Sequence, residues 1–290
     1  MINGFRKEMM FFMRGGRFAV IILVMIALAG MYPVMFGIMN TMIEAMKGIY
    51  DDETFTQMFT LFTNMTAADI TMYTVESVVE FGAIVMLFVF RNSAGGEQQK
   101  RSVIIPRCSG LTPARYILPK FAIYPLFMFI VSALSVYLGA GISAVMFPGG
   151  LDWSMITVSA CCSGVFLAFI TALQFCIGIC TGKSGVTVAV VLIMEMFVPS
   201  ILSLLRVDRF NPFALSSIAI YAPLANAEPG SSMLASISAV STTPSSSEIS
   251  SLNIAVSIGT AVVISVILCF VTLFVLNTKQ VHNEGDEPVL

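Results

Sequence analysis

The sequence predicts an all-α integral membrane protein with six transmembrane helices, and composition and patterning both lead to that class. Hydrophobic residues make up 57% of the 290 residues, whereas charged residues make up only 11%. A soluble domain carries about a quarter of its residues as charges. Mean hydropathy is +0.90, and the apolar residues fall into several stretches of about 20 residues, the length that crosses a bilayer. One membrane domain over residues 1–290 is the predicted organisation.

The amino-terminal segment, residues 1–16, is amphipathic. Its apolar residues recur at helical spacing: Ile2, Phe5, Met9 and Phe12. Charged residues occupy positions between them: Arg6, Lys7 and Glu8. This pattern predicts an interfacial helix that lies on the membrane surface; the alternative is a frayed, positively charged flank. Gly15 and Gly16 then provide a flexible break before the chain turns into the membrane.

Six long apolar segments, bounded by charges or turn residues, predict the transmembrane spans. They are Phe18–Met39, Asp69–Phe90, Phe121–Phe147, Trp153–Cys180, Val186–Leu205 and Leu252–Leu276. The second span is the least apolar, because Glu76 and Glu80 interrupt it. Its existence therefore needs support from the distribution of charge.

The basic residues supply that support. Short cytoplasmic loops are enriched in Lys and Arg, and six spans place twelve of the 15 basic residues on one side. Deleting the second span would move the most basic loop, residues 91–119, to the outside. The six-span model therefore predicts a cytoplasmic loop at 91–119, a cytoplasmic tail at 277–290 and both termini in the cytoplasm.

The segment 209–251, before the last span, is rich in Ser and Pro and is predicted to be external. Such residues favour turns over one long helix. Asn211, Pro212 and Phe213 are followed by apolar residues to Ile220, which predicts a short helix that dips back into the outer leaflet. Non-helical backbone at that depth is tolerated where protein covers it.

Several function classes are disfavoured by the sequence. A net charge of -2 lacks the basic footprint of a nucleic-acid-binding protein. The sole histidine, His282, lies in an acidic tail, and no nucleophile–base pair or metal-ligand cluster is recognisable. Cys176 and Cys180 share a helix face but have the character of small packing residues. The nucleotide-binding motif G-x-x-x-x-G-K-[ST] does not occur.

The loop between the second and third spans is the most informative segment. It runs from Arg91-Asn92-Ser93 through Glu97-Gln98-Gln99-Lys100-Arg101 to Pro113 and Lys120. It resembles the corresponding loop of the ABC transporter type-2 permease family, in which an acidic residue opens a short cytoplasmic helix, a Pro follows about fifteen positions later and a Lys introduces the third helix. Glu97, Pro113 and Lys120 fit those places, whereas Arg101-Ser102 replaces the usual Gly-Thr. The amphipathic leader, the six spans and the long external segment are also typical of the family.

This resemblance implies the permease subunit of a bacterial ABC exporter in the cell membrane. The chain would bind no cofactor and would be no enzyme itself, since ATP would be used by separate cytoplasmic ATPase subunits. A second permease subunit, identical or homologous, would complete the assembly. The resemblance places the ATPase contact on a coupling helix with Glu97, Gln98, Lys100 and Arg101.

The coupling helix also has a physical rationale. Ser93 is a candidate amino-terminal cap, and Glu97 with Arg101 forms an i,i+4 pair that contributes about 0.3–0.5 kcal/mol to a helix. A short polar helix between two spans is a rigid handle on which a cytoplasmic partner can push. The alternative is a solvated basic loop that only anchors topology.

Three carboxylates fall within the predicted spans. Glu76 and Glu80 share one face of the second span, and Glu195 lies near the centre of the fifth. A central acidic residue costs roughly 2.5–3.5 kcal/mol on insertion scales. We therefore expect each to be neutral, paired or facing water. They are candidate translocation-path residues, with Glu195 at the path or a dimer interface. The alternative for Glu195 is a structural hydrogen bond to a neighbouring helix. For Glu76 and Glu80 it is a position toward the external end, where water or an external loop reaches them.

The same carboxylates sustain a second function class, a proton- or ion-coupled secondary transporter. Many such transporters contain internal repeats, and the two halves of this sequence show no evident repeat. An intramembrane enzyme and a binding-only immunity or sensor protein are weaker alternatives. The cargo is not readable from the sequence.

Overall fold

The computed structural model describes residues 2–47, 65–96, 112–205, 210–225 and 251–285. Its α-helices, in chain order, are α1 (Ile2–Arg14), α2 (Arg17–Lys47), α3 (Ala67–Arg91), α4 (Pro113–Met146), α5 (Trp153–Thr181), α6 (Ser184–Leu204), α7 (Ala214–Tyr221) and α8 (Ser251–Gly285). A π-helical turn, Asn92–Gly96, follows α3, and a 3-10 turn, Ala222–Leu224, follows α7. No strand occurs in these ranges, which confirms the predicted all-α class.

Six of the described helices are long and apolar enough to cross a membrane, as the sequence predicts. The candidate spans are Arg17–Met46, Ala67–Gly96, Ala114–Met146, Trp153–Thr181, Ser184–Leu202 and Leu252–Thr278. The chain is thus a multi-pass membrane protein. Several helices run beyond the predicted bounds: α2 continues from Met39 to Lys47, and α4 begins at Pro113 instead of Phe121. Hydropathy marks only the part of a helix that suits lipid, whereas backbone hydrogen bonding continues into more polar residues.

The weakest predicted span, α3, has a strong start signal. Thr66 is its N-cap and forms a capping box with Asp69. The Asp69 amide donates to Thr66 Oγ1 over 3.3 Å, and the Thr66 amide donates to Asp69 Oδ2 over 2.9 Å. Such a cap contributes about 1 kcal/mol. The buried hydroxyls of Thr71 and Thr74 donate to carbonyls one turn earlier, so these two polar groups of α3 are satisfied within the helix itself.

Helix α5 forms the centre of the bundle and packs against α3, α4, α6, α7 and α8. Small residues allow close approach, which drives helix association in lipid: a Cβ placed on Gly164 would lie 2.7 Å from the ring of Phe129 on α4. Polar side chains add links between helices. Gln174 donates to the Leu87 carbonyl of α3 over 2.6 Å. Helices α3 and α5 therefore form a fixed inner pair.

A second close approach joins α2, α3 and α4 at Gly139. A Cβ at this position would collide with the methyl group of Thr74 on α3 and lie 3.1 Å from the Ala29 carbonyl of α2. Gly141, two residues further along α4, has nothing within 4 Å of the same position. Gly139 is thus required by packing, whereas Gly141 faces open space.

The short helix predicted after Asn211 is present as α7. The Asn211 side chain accepts a hydrogen bond from the Phe213 amide over 3.0 Å and stabilises the turn that precedes the helix. Leu215 is fully buried, and Ser159 of α5 donates to the Ala219 carbonyl over 2.6 Å. Neighbouring spans therefore cover the backbone of α7. Of the predicted external segment 209–251, residues 210–225 and 251 are described.

The outer surface of the bundle is strongly apolar. Leu23 on α2, Met196 on α6 and Phe274 on α8 are 69%, 74% and 73% exposed. Exposed apolar area of this extent is unusual for a soluble monomer. It fits a surface that contacts lipid or other membrane helices.

Candidate functional site

Helix α1 packs against α2 and α4. Gly16 adopts a left-handed conformation with φ of 69°, which lets the chain reverse between α1 and α2. Phe12 is then buried between α2 and α4, with ring centroids 5.8 Å from Phe18, 5.0 Å from Tyr124 and 4.8 Å from Phe127. The helix predicted within residues 1–16 is therefore present and attached to the spans by an aromatic cluster.

Lys120, in the second turn of α4, is completely buried. Its ammonium group lies 3.6 Å from Glu8 Oε1 of α1, whose side chain is 12% exposed. It also donates to the Ser93 carbonyl over 3.2 Å and lies 4.9 Å from the ring centroid of Tyr116. Buried charges in proteins are paired and hydrogen-bonded in this way. Lys120 thus links α1, the π-helical turn and α4.

The Ser93 side chain is a second connection at the same place. Ser93 is fully buried, and its Oγ accepts hydrogen bonds from the Arg17 guanidinium of α2 and from the Tyr124 hydroxyl, the latter over 3.4 Å. Ser93 therefore lies inside the turn that extends α3 and does not begin a new helix, contrary to the capping role suggested by the sequence. We call these five residues the loop-base network: Glu8, Arg17, Ser93, Lys120 and Tyr124.

The π-helical turn is also held from the α5 side. A Cβ on Gly178 would lie 2.7 Å from Ala94 Cβ, and a Cβ on Gly95 would lie 3.1 Å from the Gly178 carbonyl oxygen and from the Lys183 backbone. Gly182, with φ of 67°, ends α5 and donates its amide to the Gly178 carbonyl over 2.9 Å. Backbone of the α5–α6 turn is therefore in contact with the base of the loop.

These contacts bring most described basic residues to one end of the bundle. Arg17 begins α2, Arg91 ends α3, Lys120 lies near the start of α4 and Lys183 joins α5 to α6. The predicted clustering of positive charge at one membrane face is thus present in three dimensions. Among the sequence-predicted coupling residues, Glu97, Gln98, Lys100 and Arg101 lie outside the described residues. The predicted loop 91–119 is shorter in the structure, because 92–96 extend α3 and 113–119 form the first turns of α4.

The three predicted membrane carboxylates lie on one side of the bundle. Glu80 is eleven residues from Arg91 at the end of α3, and Glu195 is eleven residues from Ser184 at the start of α6. At about 1.5 Å per residue both are about 16 Å from the basic end, near the middle of a hydrocarbon core of about 30 Å. Helices α3 and α6 pack together, and Glu80 interacts electrostatically with both Glu76 and Glu195.

Two tyrosines accompany this carboxylate group, which we define as Glu76, Glu80 and Glu195. Tyr32 of α2 stacks on Tyr73 of α3 with centroids 5.7 Å apart, and both interact electrostatically with Glu76. Glu80 is exposed, whereas Glu76 and Glu195 are partly buried. The described residues contain no set of three or more His, Cys, Asp or Glu side chains arranged to hold a metal ion. The arrangement is suited to hydrogen bonding or to attraction of a cationic group.

The sequence pattern singled out the carboxylate group and two residues of the loop-base network, Ser93 and Lys120, but not the pairing of Lys120 with Glu8. Glu8 occurs among other charges on an amphipathic helix, and nothing in its spacing distinguishes it from Arg6 or Lys7. Comparisons with protein-family models, curated proteins and solved structures give no significant match for this chain.

Proposed function

We propose that this chain is the permease subunit of an ATP-driven ABC exporter in the bacterial cell membrane. It would form the translocation path with a second membrane subunit and would be coupled to separate cytoplasmic ATPase subunits. The observation that carries the proposal is the buried link between Ser93 and Lys120, which lie on either side of residues 97–111. The two ends of the proposed coupling loop are thereby joined to each other and to α1 and α2.

Coupling would work through this link. An ATPase that pushes on Glu97, Gln98, Lys100 and Arg101 would displace the end of α3 and the start of α4 together, because Lys120 donates to the Ser93 carbonyl. The motion would reach α1 through Glu8 and α2 through Arg17. A network of packed and hydrogen-bonded groups is the physical means by which one site moves another. In this arrangement α1 lies on the cytoplasmic membrane surface and both termini are cytoplasmic.

The carboxylate group would lie at the translocation path. Glu80 is exposed at mid-depth, and a charge facing lipid there costs about 2.5–3.5 kcal/mol. A second permease subunit, identical or homologous, would cover this face and leave a polar path beside Glu76, Glu80 and Glu195. ATP would be consumed by the partner subunits, and this chain would hold no cofactor.

The proposal is tested by co-expression with the neighbouring genes, followed by purification and assay of nucleotide hydrolysis. We expect a complex of two ATPase and two membrane subunits. Glu97→Ala should lower transport and substrate-stimulated hydrolysis several-fold, whereas Glu44→Ala, at the opposite end of α2, should have little effect. Purification without associated hydrolysis, even with the neighbouring gene products present, would count decisively against an ABC permease.

A second candidate function is a proton- or ion-coupled secondary transporter, which the mid-depth carboxylates favour. Transport that is abolished only by collapse of the proton gradient, and not by removal of the ATPase, would identify it. Glu195→Gln tests the role of this residue in either class. Unchanged transport in Glu195→Gln over the accessible pH range would show that Glu195 has no role in the translocation path.

A further inference from the structure

A long groove lies on the outer surface between α4, α5 and α8. Its main hollow has a volume of about 730 Å³, within the range of about 300–1,000 Å³ typical of small-molecule sites. The floor is made of small side chains, including Ala168 and Ala172 of α5 and Ala261 of α8, and larger side chains such as Leu126 and Phe270 stand at the sides. Among the described residues that line this hollow, none is charged.

The groove continues toward the basic end of the bundle. A second hollow of about 400 Å³ shares Phe270 and Leu273 with the first and is bordered by Thr112 and Asn277. The apolar part runs along α4 from Leu118 to Phe129, which is about 16 Å at 1.5 Å per residue. That length is about half of a hydrocarbon core of about 30 Å. The groove therefore has the length of one leaflet and becomes polar at one end.

A cation lies next to this polar end, because Arg115 follows Ala114, which borders the second hollow. Arg115 is exposed and precedes Ala122 of the groove by seven residues, two helical turns, so both lie on nearly the same face of α4. Arginine extends its charged group toward the membrane surface while its stem covers apolar area, and its guanidinium binds phosphate through two parallel hydrogen bonds. The described residues that border the two hollows include no acidic side chain to compete for this guanidinium.

We propose that this groove binds one anionic phospholipid from the leaflet on the Arg115 side of the membrane. One acyl chain lies in the hollow between α4 and α8, and the phosphate contacts Arg115 beside Thr112 and Asn277. This inference needs only that the six helices span a membrane. It does not rest on the proposed transport function and can fail or succeed separately.

The test uses the full chain in lipid nanodiscs that contain a phospholipid with a photoreactive diazirine in its acyl chain. Phosphatidylglycerol and phosphatidylcholine carrying identical chains are compared, and labelled peptides are identified by mass spectrometry. We expect labelling of residues 114–129 and 261–273 to exceed that of other lipid-facing helices. Labelling of these residues should be several-fold stronger with phosphatidylglycerol than with phosphatidylcholine, and added inorganic phosphate should not reduce it.

Matched variants separate the groove from general lipid exposure. Ala122→Trp fills the groove from an exposed position and should lower its labelling several-fold, whereas Ala144→Trp, exposed elsewhere on α4, should not. Arg115→Gln should remove the preference for phosphatidylglycerol, and Arg91→Gln should keep it. Size-exclusion profiles and thermal unfolding show that each variant is folded.

Three results would overturn the proposal. One is uniform labelling of all lipid-facing helices that Ala122→Trp leaves unchanged. Another is equal labelling by the two lipids in the unmodified chain. The third is efficient disulfide formation between two copies of the chain, one carrying Leu126→Cys and the other Phe270→Cys. Such a disulfide would show that a second chain occupies the groove.

Discussion

Replacement of Lys120 by Met is the most direct perturbation of the loop-base network. The change keeps the length of the side chain but removes a fully buried ammonium group 3.6 Å from Glu8 Oε1. At an effective dielectric constant of about 20, two charges at this separation attract by about 4–5 kcal/mol, and desolvation offsets part of that gain. Removal of one partner from a buried ion pair generally costs about 3–5 kcal/mol, which is the loss of stability expected for Lys120→Met.

Glu8→Gln should be milder, because Lys120 keeps its hydrogen bond to the Ser93 carbonyl and its contact with the Tyr116 ring. We expect a loss of about 1.5–3 kcal/mol, the range for a hydrogen bond to a charged group. The double variant should be more stable than the sum of the single effects predicts, by about 1–3 kcal/mol, because residues in direct contact are energetically coupled.

Equilibrium unfolding in detergent, at several denaturant concentrations, measures the stability of the unmodified protein, the two single variants and the double variant. Together these four proteins form a double-mutant cycle. Lys183→Met is the matched control, since Lys183 is an exposed lysine at the same end of the bundle, and its effect should stay within about 0.5 kcal/mol. Strictly additive effects of Glu8→Gln and Lys120→Met would refute the reasoning. So would a Lys120→Met protein as stable as the control variant.

Three further predictions concern packing and helix capping. Gly139→Ala should destabilise the fold by about 1–3 kcal/mol through overpacking, whereas Gly141→Ala should be neutral or slightly stabilising; equal unfolding midpoints would contradict the close approach of α2, α3 and α4. Gly178→Ala should likewise lower the unfolding midpoint and increase proteolysis near residues 97–111. Gly185→Ala is its control, because Gly185 faces open space. Unchanged cleavage in Gly178→Ala would contradict the contact between α5 and the base of the loop. Thr66→Ala should cost about 1 kcal/mol by removing the α3 cap, and faster amide hydrogen exchange in the first turn of α3 checks it.

The number of long apolar helices could be predicted because each one must satisfy its backbone within lipid. Their ends could not be predicted equally well. Pro113 resembles a loop residue in sequence, yet Pro is favoured in the first turn of a helix, where its missing amide would have no partner. Helix α4 accordingly starts there. The α3 cap at Thr66 was not predicted from the sequence.

The candidate sites likewise contain residues that the sequence reveals and contacts that it does not reveal. Glu76, Glu80 and Glu195 are conspicuous because charges are rare in apolar segments. The helix ends in the structure place Glu80 at the same depth as Glu195, near the middle of the membrane and not toward the external end that the sequence suggests for it. The pairing of Glu8 with Lys120 depends on the reversal at Gly16 and on the burial of Phe12 against α4. Those are tertiary events, which neither periodicity nor hydropathy encodes.

The Glu8–Lys120 pair also imposes an order on biogenesis. Glu8 is made before its partner, which follows 112 residues later, and this takes about 6–22 s at 5–20 residues per second. During that interval α1 lacks the pocket that α4 provides for Phe12. Helix α1 is therefore made before α4 but reaches its final position only after it, and assembly of this end of the protein awaits insertion of the third span.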